Sequence, residues 1–135
     1  MANALYDLGR EGFLNADIDW AADNIRIILG DSGAYTVNLA THDFLDDVPG
    51  GARIATSGNL ASKTSTAGVA DAADVTLSAV TGTNCEFIII YQHTGTESTS
   101  HLIAYIDTAT NLPITPNGGD ITVTWDNGAN KIFKL

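Results

Sequence analysis

Cys85-Glu86-Phe87-Ile88-Ile89-Ile90-Tyr91-Gln92 and His101-Leu102-Ile103-Ala104-Tyr105-Ile106-Asp107 are the two stretches that decide the fold class. Phe87 to Tyr91 is β-branched and aromatic and is apolar on both faces, as a strand covered on both sides must be. Neither apolar run exceeds five residues, far short of the ~20 needed to cross a bilayer as a helix. Leu102 to Ile106 answers the first run across a Thr- and Ser-rich span from Thr94 to Ser100. Pairing the two about Glu97 sets Tyr91 opposite Ile103 and His93 opposite His101.

Working outward, Asn24 to Leu29 alternates Ile25, Ile27 and Leu29 against Arg26 and Ile28, which predicts another strand. Gly30 to Gly33 is turn chemistry, and Ala34 to Val37 reads as a short strand. Arg53 to Ser57 and Leu60 to Ser65 read as a hairpin about Gly58-Asn59. Gly68 to Asp74 is a loop or edge, and Asp74 to Val80 alternates again. Thr108 to Gly119 is a connection, because Pro113 and Pro116 suit a central strand poorly. Ile121 to Trp125, a turn over Asp126 to Asn130, and Lys131 to Leu135 read as a terminal hairpin. Two helical pieces interrupt the strands. Ala4 to Leu14 is a short helix with Leu5, Leu8 and Phe13 inward, weakened by Gly9 and Gly12 at up to ~1 kcal/mol each. Thr41 to Pro49 is one or two turns, with Thr41 as N-cap and Phe44, Leu45 and Val48 inward. Ile18 and Trp20 are anchors on an extended link. The sum is a mainly β, single-domain chain over residues 1–135. It is an antiparallel β-sandwich or jelly-roll-like fold of seven to nine short strands, with a short N-terminal helix and one short helical turn near residues 41–48.

Composition narrows the function. The chain has 135 residues, 44% hydrophobic and only 16% charged, with a net charge of −10. Its bases, Arg10, Arg26, Arg53, Lys63, Lys131 and Lys134, are scattered, so no patch is available to neutralise phosphates and nucleic-acid binding is disfavoured. The one cysteine, Cys85, cannot form an intramolecular disulfide and fits a reducing compartment. No basic stretch followed by an apolar one opens the chain, so no secretion signal is expected.

Each candidate for chemistry has a plainer competitor. Cys85 opens the most apolar strand beside Glu86, surroundings that raise a thiol pKa and leave it inert. His93, His101 and Glu97 would form a metal site only if the pairing about Glu97 brought them together, and their spacing matches no zinc pattern. His42 with Asp43 reads as helix-start chemistry, and no Gly-x-Ser-x-Gly elbow supports a hydrolase. Asp17 with Asp19, and Asp43 with Asp46 and Asp47, lack the register of a calcium loop. Trp20, Trp125, Tyr91 and Tyr105 would make a sugar platform only if exposed, and strand-spaced aromatics are more often core. No glycine pattern cradles a phosphate. No catalytic, cofactor-binding or metal residue is expected.

Three blocks carry a whole-chain resemblance. They are Met1 to Asp7 with Gly9-Arg10-Glu11, Phe13-Leu14 and Asp17-Ile18-Asp19-Trp20; Ala34 to His42 with Phe44-Leu45; and, most of all, Leu102 to Thr110 continuing through Leu112 to Leu135. In these the chain resembles a family of small virion proteins of tailed bacteriophages. The resemblance implies a non-enzymatic structural protein without cofactors, made in the bacterial cytoplasm and carried on the virion. Its partners would be the major capsid protein or other virion proteins, met in many copies or as a homo-oligomer, with no nucleic acid and no membrane. A capsid cement or decoration role comes first. A tail, neck or fibre-associated role is the alternative, and a sugar- or ligand-binding β-domain a further one. Docking would bury roughly 1,000–2,000 Å² per contact, multiplied over a lattice. The N-terminal helix and Lys131 to Leu135 are the candidate docking elements.

Overall fold

In a computed structural model, residues 3–135 are described; Met1 and Ala2, which open the first resembling block, lie outside them. The described elements in chain order are β1 (Ala4–Leu5), α1 (Asp7–Leu14), β2 (Ile25–Gly30), β3 (Arg53–Thr56), β4 (Val69–Ala70), β5 (Val75–Leu77), β6 (Phe87–Gln92), β7 (Leu102–Ile106), β8 (Ile121–Val123) and β9 (Phe133–Lys134). The protein is mainly β. Five strands form one sheet in the order β1-β7-β6-β2-β3, every neighbouring pair antiparallel. All six residues of β6, the central strand, are buried. An apolar run with no polar alternation fits only where both faces are covered.

The two faces have different covers. Ile25, Ile27, Leu29, Ile88 and Ile90 point into a core closed by two ribbons, β4 with β9 and β5 with β8, which bring in Ala70, Leu77 and Trp125. Ile28, Phe87, Ile89, Tyr91 and Tyr105 point the other way, under Tyr35, Leu45, Val48 and Ala52 of the 31–52 segment. The predicted alternation of β2 therefore holds, with Ile28 filling the second core.

Four expectations about which residues form helices, strands and hairpins are corrected. The helix begins at Asp7, not Ala4, because Ala4 and Leu5 pair with Tyr105 and Ala104 at the sheet edge. It lies on β7 through Gly9, while Gly12 is buried against Ile18 and Leu8 is only half-buried. Ala34 to Val37 forms no strand; Tyr35 is drawn into the second core instead. Leu60 to Ser65 forms no hairpin with β3. The Ser57 hydroxyl accepts from the Ile27 N–H, and the Leu60 N–H donates to the Ile25 carbonyl, so the chain keeps following β2 past Gly58-Asn59. The last correction concerns the C-terminus. β8 and β9 do not pair with each other: Ile121 to Val123 pairs with Leu77 to Val75, and Phe133 and Lys134 pair with Ala70 and Val69. Burying Phe133 against Trp20, ring centroids 5.3 Å apart edge-on, wins over the local turn.

The helical turn near 41–48 is a single tight turn at Leu45–Asp47, and Thr41 does not cap it. Asp47 does so instead, its carboxylate accepting from the N–H groups of Asp43 (2.8 Å) and Phe44 (3.4 Å). The β6–β7 register follows the predicted frame from Ile88↔Ile106 to Ile90↔Ala104, then slips at a bulge so that Tyr91 faces Leu102. That slip removes the expected Tyr91–Ile103 and His93–His101 pairs and sets Gln92 against His101.

Candidate docking surface

The bulge also disperses the three residues singled out for a metal. Gln92 uses its amide nitrogen on the Asp17 carbonyl and the Asp23 carboxylate, so its Oε1 is the acceptor and His101 Nδ1 must donate to it. His101 packs edge-on against Phe44, centroids 4.8 Å apart. His93 is turned toward Tyr91, its pKa lowered by partial burial and by Arg26. Glu97 pairs with Arg53, and that hydrogen bond and charge hold its carboxyl below the usual range. The three do not converge.

The other candidates resolve into structural parts. Cys85 is fully buried, and burial followed by the charges of Glu86 and Asp31 pushes its thiol up to about 11. Asp19 closes a turn by accepting from the N–H groups of Ala21 and Ala22. Asp43, Asp46 and Asp47 place carboxylate oxygens within 4.8 Å of one another, but Asp47 is spent on the turn that it caps. Burial, then the hydrogen bond to Asp47, raises Asp43. Trp20 and Trp125 are buried, at 5% and 8% exposure, and their indole N–H groups donate to the carbonyls of Asp71 and Ala73. Tyr91 and Tyr105 are core as well. An exposed platform of these four aromatics does not exist.

Two arrangements had no sequence signal. Tyr6 and Tyr35 hydroxyls meet at 3.0 Å inside the second core, and Tyr35 reaches His42 Nδ1 at 2.8 Å. Arg53 donates to the carbonyls of Leu45 (2.8 Å) and Val48 (2.6 Å), tying the helical turn to the sheet edge. The first joins Tyr6 to Tyr35 across 29 positions, and the second uses main-chain carbonyls, which no residue type announces.

The two elements expected to dock do converge. The end of α1 and the C-terminal strand meet through Phe13 and Phe133, centroids 5.8 Å apart. Beside them is an apolar groove of about 330 Å³, with Phe13, Ile18, Trp20, Phe133 and Leu135 in its lining. Among the described residues, the two large hydrophobic ones left most exposed are the terminal ones of these elements, Leu14 at 87% and Leu135 at 60%. Asp19 is the one charged side chain among its lining residues. A second and larger cleft, about 930 Å³, opens where Leu29, Ile88 and Ile106 face Ile121, Val123 and Trp125. Among the described residues no helix is long and apolar enough to cross a membrane. Neither a protein-family model nor a curated protein matches this chain.

Proposed function

We propose that this protein is a non-enzymatic structural component of a tailed-bacteriophage virion, acting as a cement or decoration protein on the capsid surface. The observation that carries the reading is the meeting of Phe13, at the end of α1, with Phe133, beside an apolar groove whose lining includes the exposed Leu135. Elsewhere the thiol, Trp125 and the strand tyrosines are buried. An exposed leucine on the wall of an apolar groove is the kind of surface that gains from being covered. The net charge of −10 favours a partner whose facing surface is basic and steers its approach. Repeated over a lattice, modest contacts of this kind add to a firm hold.

The partner in this reading is the major capsid protein or a neighbouring virion protein. The test is to count the chain in purified particles of the phage that encodes it by quantitative mass spectrometry. A copy number comparable with that of the shell subunits supports the cement role. A number matching tail symmetry moves the protein to the tail or neck, and absence from the particle overturns the virion reading.

A further inference from the structure

We infer that Asn127 is a site of spontaneous covalent modification, converting to aspartate and isoaspartate in the folded protein, whereas the other Asn-Gly pair of the chain is protected. The chemistry is intramolecular. The main-chain nitrogen of the following residue attacks the side-chain amide carbon. A nitrogen–carbon bond forms, the carbon–NH2 bond breaks, and the proton from the attacking nitrogen leaves with the departing group as ammonia. Water then opens the five-membered imide at either carbonyl, so no oxidant, reductant or metal is required. A glycine at the attacking position presents no Cβ to hinder the approach. The attacking N–H must also be free, and the side chain must be free to turn.

The two pairs, Asn117-Gly118 and Asn127-Gly128, are both exposed, so exposure does not separate them. Hydrogen bonding does. Gly118 N–H donates to the Val80 carbonyl at 2.8 Å, and the Asn117 side-chain oxygen accepts from Gly119 N–H at 2.9 Å. Both reacting groups are held, and the Val80 N–H to Gly119 carbonyl bond at 3.0 Å pins the same turn from its other side. At the second pair, neither the Gly128 N–H nor the Asn127 side chain has a partner among the described residues. Asn127 lies outside any strand, in the connection from β8 to β9. A Cβ at Gly128 would meet only the tip of the exposed Asp126 side chain, at 2.8 Å, so no neighbouring backbone closes over the attacking nitrogen.

The position gives the change a consequence. Asp126, Asn127 and Lys131 lie at the margin of the 930 Å³ cleft. Conversion adds a carboxylate there, to a chain whose net charge is already −10. The isoaspartyl product also lengthens the main chain by one methylene close to Trp125, whose N–H is fixed to the Asp74 carboxylate at 3.1 Å. The cleft and the tether to β9 therefore change with the age of the molecule.

The experiment is to incubate the purified full chain at mildly alkaline pH and 37 °C and follow both sites by peptide mapping, with isoaspartyl methyltransferase labelling to mark the lengthened linkage. A parallel sample is held in denaturant. The expected result is conversion at Asn127 severalfold ahead of Asn117 in the folded protein, similar rates at the two sites in denaturant, and loss of the folded-state signal in Asn127→Gln. Equal rates in the folded protein, or Asn117 ahead of Asn127, would overturn the inference.

Discussion

Gly9 lies so close to the carbonyl oxygen of Leu102 that a Cβ added at Gly9 would stand 2.6 Å from it. This contact sets the distance between α1 and β7. Helix propensity alone predicts that Gly9→Ala stabilises by ~1 kcal/mol. The neighbour is backbone, which cannot swing aside, so overpacking at about 1–3 kcal/mol wins. Gly9→Ala should lower the urea midpoint by an amount in that range. Gly12→Ala should cost less, since its nearest neighbour at 2.7 Å is the tip of the Ile18 side chain. Gly58→Ala meets nothing within 4 Å and should be neutral or gain a few tenths up to ~1 kcal/mol. A stabilised Gly9→Ala would refute the close-packing account.

The proton order in the second core follows from one backbone donor. Asn38 N–H donates to His42 Nδ1 at 3.2 Å, so that nitrogen is an acceptor and Tyr35 must donate to it as well. Tyr6 in turn donates to Tyr35. Tyr35→Phe removes the link that both neighbours use and should cost about 1–3 kcal/mol, because a buried hydroxyl loses its acceptor. Tyr6→Phe removes only the terminal donor and should cost about 1 kcal/mol. The comparison is made by chemical denaturation of both single variants and the double variant. Equal losses from the two single variants would mean that the chain does not run in this direction.

The strands β2, β6 and β7 were legible because each alternates or saturates with apolar residues over a length that only a covered sheet accommodates. Ile18 and Trp20 were legible as anchors for the same reason: large apolar side chains on a polar link must be buried. The register of β6 on β7 was readable as far as Ile90 and Ala104 and failed at the bulge, since nothing local announces one extra residue. The C-terminus misled. Asp126 to Asn130 has turn composition, but β8 and β9 find partners in β5 and β4, which the local pattern does not reveal. The roles of Gly9 and Gly12 were invisible for a related reason: helix propensity counts the helix alone, whereas both glycines answer to neighbours outside it, β7 for Gly9 and Ile18 for Gly12. Of the docking surface, its two elements were readable from the sequence. Their meeting was not, because it depends on β9 crossing to β4.

Alkaline pH should destabilise the fold in a defined order. Burial pushes the Cys85 thiol from 9.0 up to about 11, and burial with the Asp107 charge pushes the Tyr105 phenol from 10.0 up to about 12. Tyr35 and Tyr91 are raised as well, chiefly by burial. The unfolded chain releases these protons first, so the native state holds more of them above the unfolded pKa values. Stability is full below about pH 9 and falls as pH rises through the folded values. Thermal unfolding followed from pH 7 to 11 should show a falling midpoint starting near pH 9. Cys85 should resist thiol reagents at pH 8 until denaturant is added. Rapid labelling of the native protein would contradict the buried placement.

Leu14 and Leu135 separate docking from folding. At 87% and 60% exposure they contribute little to the isolated domain, so Leu14→Ser with Leu135→Ser should change stability by no more than about 0.5 kcal/mol. Phe133→Ala is the contrast. It removes a ring that touches both Trp20 and Phe13, and should cost at least about 2 kcal/mol. In the proposed role the double serine variant folds normally yet is depleted from particles when it replaces the wild-type chain during phage growth, and the depletion should deepen at high salt if the chain's net charge of −10 assists docking. Particle content is read by mass spectrometry beside the stability of the purified variant. Wild-type incorporation of a normally folded variant would remove the groove as the contact surface, while leaving the copy-number test of virion membership to stand on its own result.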